Sequence, residues 1–140
     1  AEEATLEPPM RKLSPELKGT ETILLVEDEA SVRAAAQEAL RRQGYNVLPA
    51  SNAHEALALV AQHGGKIDLV VSDVVMPKMD GPTLIGMLRK ERPDLKALLM
   101  SGYTGSALAR MDTHGYDIPF LEKPFTVLAL AKKVREVLGG

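Results

Sequence analysis

Four short segments carry the side chains best suited to chemistry: Glu27-Asp28-Glu29, Ser72-Asp73, Ser101-Gly102 and Glu122-Lys123-Pro124. Each closes an apolar run of strand length, so a fold that aligns those runs gathers carboxylates, a hydroxyl and an ammonium at one rim. As ions, Glu27, Asp28 and Asp73 bring about −3 and Lys123 about +1, which leaves a cluster of roughly −2. Carboxylates crowded in this way raise one another's pKa unless a cation compensates. A hard divalent ion with oxygen ligands meets the deficit, and Mg2+ held by one or two carboxylates plus waters is the expected ion. A phosphoryl group brought to Asp73 would meet Mg2+ on one side and Lys123 with Ser101 on the other. Such charges suit phosphoryl transfer, whose catalysis is mostly positioning and electrostatic stabilisation.

The segments between these points predict what positions them. Apolar runs at Thr22–Val26, Asn46–Ala50, Ile67–Ser72, Leu95–Met100 and Ile118–Glu122 read as strands. Helical periodicity occupies Ser31–Gln43, a segment opened by Asn52 and stopped at Gly64-Gly65, one from Pro82 to Arg92, and Thr126–Leu138. A weak helix is expected at Ser106–Met111, within a stretch holding Gly102, Gly105 and Gly115. Alternation of strand and helix indicates an α/β fold with a parallel sheet covered on both faces. Ile23-Leu24-Leu25-Val26, Leu69-Val70-Val71 and Ala97-Leu98-Leu99-Met100 are apolar throughout, as central strands are. The second and fifth strands contain Pro49 and Pro119, and proline belongs on sheet edges. The order 2-1-3-4-5 follows: a flavodoxin-like doubly wound five-stranded sheet, whose ligands bind beyond the carboxyl ends of the strands.

Composition narrows the function further. With 140 residues and no cysteine, the chain can bury one core but has no disulfide, thiolate metal site or catalytic thiol. Its 17 basic and 19 acidic residues give a net charge of −2, no general reason to bind nucleic acid or an anionic membrane. No apolar run approaches the roughly 20 residues of a membrane span, and a cytoplasmic location is expected. Residues 1–20, with Pro8, Pro9, Pro15 and many charges, read as a disordered linker or tail ahead of a domain over 21–140. Without an initiator Met, the chain is expected to be a piece of something longer. His54, His63 and His114 lack ligand-like spacing and read as surface residues.

The segments Leu25-Val26-Glu27-Asp28-Glu29, Ser72-Asp73-Val74-Val75-Met76-Pro77, Met100-Ser101-Gly102-Tyr103 and Lys123-Pro124-Phe125 together resemble the response-regulator receiver domains of two-component systems. They stand in the family's order and spacing, and the likeness covers about Thr20 to Gly140. The resemblance implies that Asp73 is the phosphoacceptor and Asp28 a direct Mg2+ ligand. It makes Glu27, where the family often has Asp, a second acid acting through water, and Val75 a ligand by its backbone carbonyl. Ser101 matches the switch hydroxyl, Lys123 the phosphate-contacting lysine with a cis bond to Pro124, and Phe120 the aromatic switch position. Implied partners are a histidine kinase core or a histidine phosphotransfer protein. The Pro- and charge-rich tail resembles the segment joining a kinase core to the terminal receiver of a hybrid sensor histidine kinase.

Taken singly, each segment has an ordinary reading: solvated acids at a strand end, Asp73 as a turn residue, Lys123 as surface charge. Their joint placement sets those readings aside. A flavin or nucleotide binder of the same sheet order needs a phosphate cradle after the first strand, where Glu27-Asp28-Glu29 would repel a phosphate instead. A phosphatase with an aspartyl nucleophile at the first strand fits poorly, since the best nucleophile follows the third. A degenerate receiver serving only as an interaction module is opposed by the filled positions.

Overall fold

The strands are β1 (Thr22–Val26), β2 (Asn46–Ala50), β3 (Leu69–Asp73), β4 (Lys96–Ser101) and β5 (Phe120–Glu122), all parallel, in the order β2-β1-β3-β4-β5. A computed structural model of the chain describes residues 18–76, 78–101 and 118–139. Within them the helices are α1 (Ala30–Arg42), α2 (Ala53–Gln62), α3 (Gly81–Glu91) and α4 (Val127–Leu138). The expected sheet order is met. The weak helix expected at 106–111, like Gly102 and Tyr103, lies outside the described residues.

Alternation along the central strands splits the core in two, because successive side chains point to opposite faces. Ile23 and Leu25 join Leu69, Val71, Leu98 and Met100 under α1 and α4, through Ala36, Leu40, Leu130 and Val134. Leu24 and Val26 join Val70, Ala97 and Leu99 under α2 and α3, through Ala53, Ala56, Leu84 and Ile85. None of the described helices is long and apolar enough to cross a membrane.

Caps fix where the helices begin. Asn52 Oδ1 accepts from the Glu55 N–H at 2.8 Å, Asp80 Oδ1 from Thr83 at 2.8 Å and Thr126 Oγ1 from Ala129 at 3.0 Å, each satisfying an orphan first-turn donor. Helix α1 differs, since Glu29 at its start makes no side-chain cap. Two strands are shorter than expected. Strand β3 starts at Leu69, and Asp68 before it accepts the Thr22 N–H at Oδ2 (2.9 Å). Strand β5 starts at Phe120, and Pro119 serves β4 through its carbonyl, which accepts from Leu99 N–H at 3.0 Å.

At the amino end of the sheet, Arg135 of α4 gathers the entry of the chain. Its guanidinium lies 2.7 Å from Glu21 Oε2 and donates to Tyr45 Oη and the Lys18 carbonyl, each at 3.2 Å. The Gly19 N–H donates to Gln43 O at 2.9 Å, and a Cβ on Gly19 would collide with Tyr45 and Arg135. The hydrogen bond from Arg135 holds Glu21 below the ordinary carboxylate range. A depressed carboxylate stabilises the fold above its unfolded pKa and loses that contribution as pH falls. Arg135→Met is expected to cost about 1–3 kcal/mol in urea unfolding near neutral pH, because Glu21 is left partly buried without its partner. Its deficit relative to the native protein should shrink in acid.

Candidate functional site

Sheet register explains why residues far apart in sequence meet. Val26 pairs with Ser72, so Glu27 emerges beside Asp73. Asp73 pairs with Met100, one residue before Ser101, and Ser101 pairs with Glu122, one residue before Lys123. All lie at the carboxyl ends of the strands, the ligand edge of such a sheet. Glu27, Asp28, Asp73 and Lys123 converge there.

Asp73 is 9 % exposed, and its Oδ1 lies 3.3 Å from Lys123 Nζ. Burial, followed by the charge of Glu27, pushes its carboxyl up to about 6 despite the opposing pull of Lys123. Lys123 is drawn down by its own burial, but Glu27 and Asp73 outweigh this and hold the ammonium above its ordinary range. One oxygen from each of Glu27, Asp28 and Asp73 lies within 4.8 Å of the other two. Three converging hard oxygen donors, with one ammonium among them in the described residues, fit a divalent ion such as Mg2+.

Glu27 makes contacts that the sequence did not signal. Its side chain is fully buried, with Oε1 2.7 Å from Lys123 Nζ and Oε2 accepting from the Glu29 N–H at 3.0 Å. The shorter contact of Lys123 is therefore to Glu27 and not to Asp73. The sequence placed four charges on one rim but had no means of assigning the ammonium among three carboxylates. Asp28, by contrast, is exposed at the mouth of the cluster.

The loop after Asp73 is shaped for close approach. The Gly81 N–H donates to Val74 O at 2.8 Å, and a Cβ on Gly81 would fall 2.3 Å from the Asp73 carbonyl oxygen. Only glycine lets α3 start this near β3. Lys78, between them, holds a left-handed φ of 73°, an uncommon conformation for a side chain beyond glycine. The Ser72 hydroxyl donates to the Asp73 carbonyl at 2.9 Å and stays buried. Val75 follows with its side chain exposed.

Of the remaining expected residues, Ser101 ends β4, and Phe120 opens β5, partly buried against the core under α2 and α3. The Lys123–Pro124 bond is cis. A groove of about 460 Å3 runs beside Lys123, lined by Glu29, Ser31, Val32, Ala35, Pro124 and Phe125. His54 is exposed and His63 half-buried, while His114 lies outside the described residues. Two contributors escaped the sequence reading. Gly81 could have been found from Asp80-Gly81-Pro82, a cap followed by a helix-opening proline. Arg33, whose Nη1 donates to the Glu27 carbonyl at 2.7 Å, carries no such signal.

Residues 23–135 match the family model of the response regulator receiver domain. Among curated proteins, the sensor kinase CckA of Brucella abortus (strain 2308) is 48% identical over 123 residues, covering 88% of this chain and 13% of the kinase. The DNA-binding transcriptional regulator NtrC of Rhizobium meliloti (strain 1021) is 39% identical over 111 residues, 78% of this chain and 22% of the regulator. The chain thus spans less than a quarter of either relative. Among solved structures, the receiver domain of the hybrid histidine kinase CckA aligns with a TM-score of 0.70 at 38% identity, covering 84% of this chain and 98% of that one. The chemotaxis protein CheY4 of Vibrio cholerae aligns at 0.76 and 26% identity, covering 85% and 99%.

Proposed function

Because the chain belongs to the response regulator receiver domain family of two-component systems, we propose that Asp73 accepts a phosphoryl group from a phosphohistidine in a Mg2+-dependent phosphorelay step. The observation that carries this reading is the position of Asp73: nearly buried, 3.3 Å from Lys123 Nζ and within a three-carboxylate cluster. Asp28, Asp73 and the Val75 carbonyl would hold Mg2+ with Glu27 beside them, and the ion when bound supplies positive charge to the phosphoryl oxygens.

In the transfer, an Asp73 carboxylate oxygen attacks phosphorus and the P–N bond to the donor imidazole breaks. The electron pair of that bond leaves on the imidazole nitrogen, and an acyl phosphate remains on Asp73. Lys123 then turns from Asp73 Oδ1 to a phosphoryl oxygen while Glu27 keeps its ammonium at the site. Glu27 thereby acts as an anchor for Lys123 as well as a member of the acidic cluster. The Ser101 hydroxyl takes a second phosphoryl oxygen, and Phe120 follows it inward, which alters the surface offered to partners.

The donor is a histidine kinase core or a histidine phosphotransfer protein. The groove beside Lys123 supports this, since Val32, Ala35, Pro124 and Phe125 give such a protein an apolar footing next to the acceptor. The parent is a hybrid sensor kinase, a reading supported by the likeness to CckA, and the domain works in the cytoplasm. In acetyl phosphate and Mg2+, the protein is expected to gain one phosphoryl group by intact mass and to gain none in EDTA. Equal labelling in EDTA would separate acceptance from the metal.

A further inference from the structure

Asp28 is the most exposed member of the acidic cluster, and its carboxylate makes no hydrogen bond or ion pair among the described residues. Nothing at the side-chain end holds it. Its position is therefore set by the backbone that carries it.

That backbone is tied at every neighbouring point. The Glu27 N–H donates to the Ala50 carbonyl of β2 at 3.0 Å. The Glu27 carbonyl accepts from Arg33 Nη1 at 2.7 Å, a short charge-assisted bond. The Glu29 N–H is held by Glu27 Oε2, and the Glu29 carbonyl accepts from the Arg33 N–H at 2.9 Å. Arg33 thus grips the turn on both sides of Asp28, with its side chain before it and its main chain after it. The peptide joining Glu27 to Asp28 is planar, so an oxygen fixed at one edge fixes the plane in which the Asp28 Cα lies. Helix α1 also lacks the side-chain cap that Asn52, Asp80 and Thr126 give α2, α3 and α4.

We infer that Arg33 is a positioning residue for the cation site: by holding the Glu27 carbonyl it sets where the Asp28 carboxylate stands. This rests on the Mg2+ site of the proposed function. The charge of Arg33 pulls the other way. A cation near an acidic cluster weakens the binding of another cation, so a purely electrostatic Arg33 predicts tighter Mg2+ binding when it is removed. A positioning Arg33 predicts the reverse. The two roles differ in sign.

They also differ in selectivity. Mg2+ demands near-ideal octahedral geometry, whereas Ca2+ accepts a looser and more variable shell. Loss of position should therefore harm Mg2+ more than Ca2+, while loss of a charge or a general loosening of the fold should move both alike. The test is calorimetric titration of the full chain with Mg2+ and separately with Ca2+, for the native protein, Arg33→Ala, Arg33→Gln and Arg33→Lys. Arg33→Ala is expected to bind Mg2+ about tenfold more weakly, the lower end for an outer partner of a ligand. Its Ca2+ affinity should change less, and Arg33→Lys, which keeps a donor on a long stem, should recover part of the Mg2+ loss. Arg33→Gln retains a helix-compatible residue and should behave as alanine does, which keeps the test decisive if Arg33→Ala fails to fold. Unchanged or tighter Mg2+ binding, or equal loss of both ions, overturns the inference. A native protein that binds no Mg2+ overturns the proposed metal site and this inference with it, whereas normal native binding with unaffected variants overturns the role of Arg33 alone.

Discussion

Asp73→Asn is expected to take up no phosphoryl group and, in metal-free buffer near neutral pH, to be more stable than the native protein. The first half follows from chemistry: an amide does not attack phosphorus as a carboxylate does. The native protein should carry one acid-stable, base-labile phosphoryl group after acetyl phosphate and Mg2+, and the variant none. The second half follows from burial. Asp73 is pushed from 3.8 to about 6 by burial and by Glu27, so ionising it costs more in the folded state than in the unfolded chain. That cost is absent below about pH 3.8, grows as pH rises through about 6, and is constant above. A shift of this size corresponds to about 3 kcal/mol at most, and discounting for solvent access and the lost Lys123 contact leaves about 1–2 kcal/mol. Thermal unfolding in EDTA should show the variant several degrees higher at pH 7, with the gap closing towards pH 4. Labelling of both proteins alike would move the acceptor elsewhere. A lower melting temperature for the variant would mean that Lys123 stabilises the carboxylate more than burial opposes it.

The second large effect concerns the metal. Asp28→Asn should weaken Mg2+ binding by more than about tenfold, because it replaces a charged ligand with a neutral one at the exposed side of the cluster. Glu27→Gln should weaken it less, since both oxygens of Glu27 are already engaged, by Lys123 and by the Glu29 N–H. Binding to the folded state alone stabilises it by mass action, about 2.7 kcal/mol at 100 times the dissociation constant. Native protein should therefore melt higher in Mg2+ than in EDTA, and Asp28→Asn should lose most of that increment. Calorimetry and melting curves at matched ionic strength check both statements. A rise in melting temperature that survives Asp28→Asn intact would assign the ion to other ligands.

Much of this fold could be read from the chain because local signals agreed with one another. Three unbroken apolar runs marked the strands covered on both faces, and Pro49 and Pro119 marked the edges, one within β2 and one immediately before β5. Asn52, which opens its segment in the sequence, caps α2, while Asp80 and Thr126 cap α3 and α4. Strand limits were less legible, since Ile67 and Ile118 are apolar enough for strands yet lie outside β3 and β5. The site divides in the same way. Register carried Glu27, Asp28, Asp73 and Lys123 to one edge because they stand at the carboxyl ends of β1, β3 and β5, parallel strands of one sheet, a fact visible in the segment order. Which carboxylate takes the ammonium depends on one methylene of reach and on the depth at which Glu27 is buried, and no spacing encodes that. Arg33 was hidden for a similar reason: a long side chain folding back six residues onto a carbonyl leaves no pattern in composition.

The knot of Lys18, Glu21, Tyr45 and Arg135 lies at the opposite end of β1 from the acidic cluster, a separation of about 17 Å for a five-residue strand. Under the proposed function the phosphoryl group would therefore arrive at the end of the sheet opposite Lys18. A donor joined to the chain ahead of Lys18 would then have to reach around the flank of the sheet to meet Asp73. Because Arg135 sits on α4, whose opening turn follows Lys123 and Pro124, the same helix links the edge that carries the acidic cluster to the Glu21–Tyr45 knot at the opposite end.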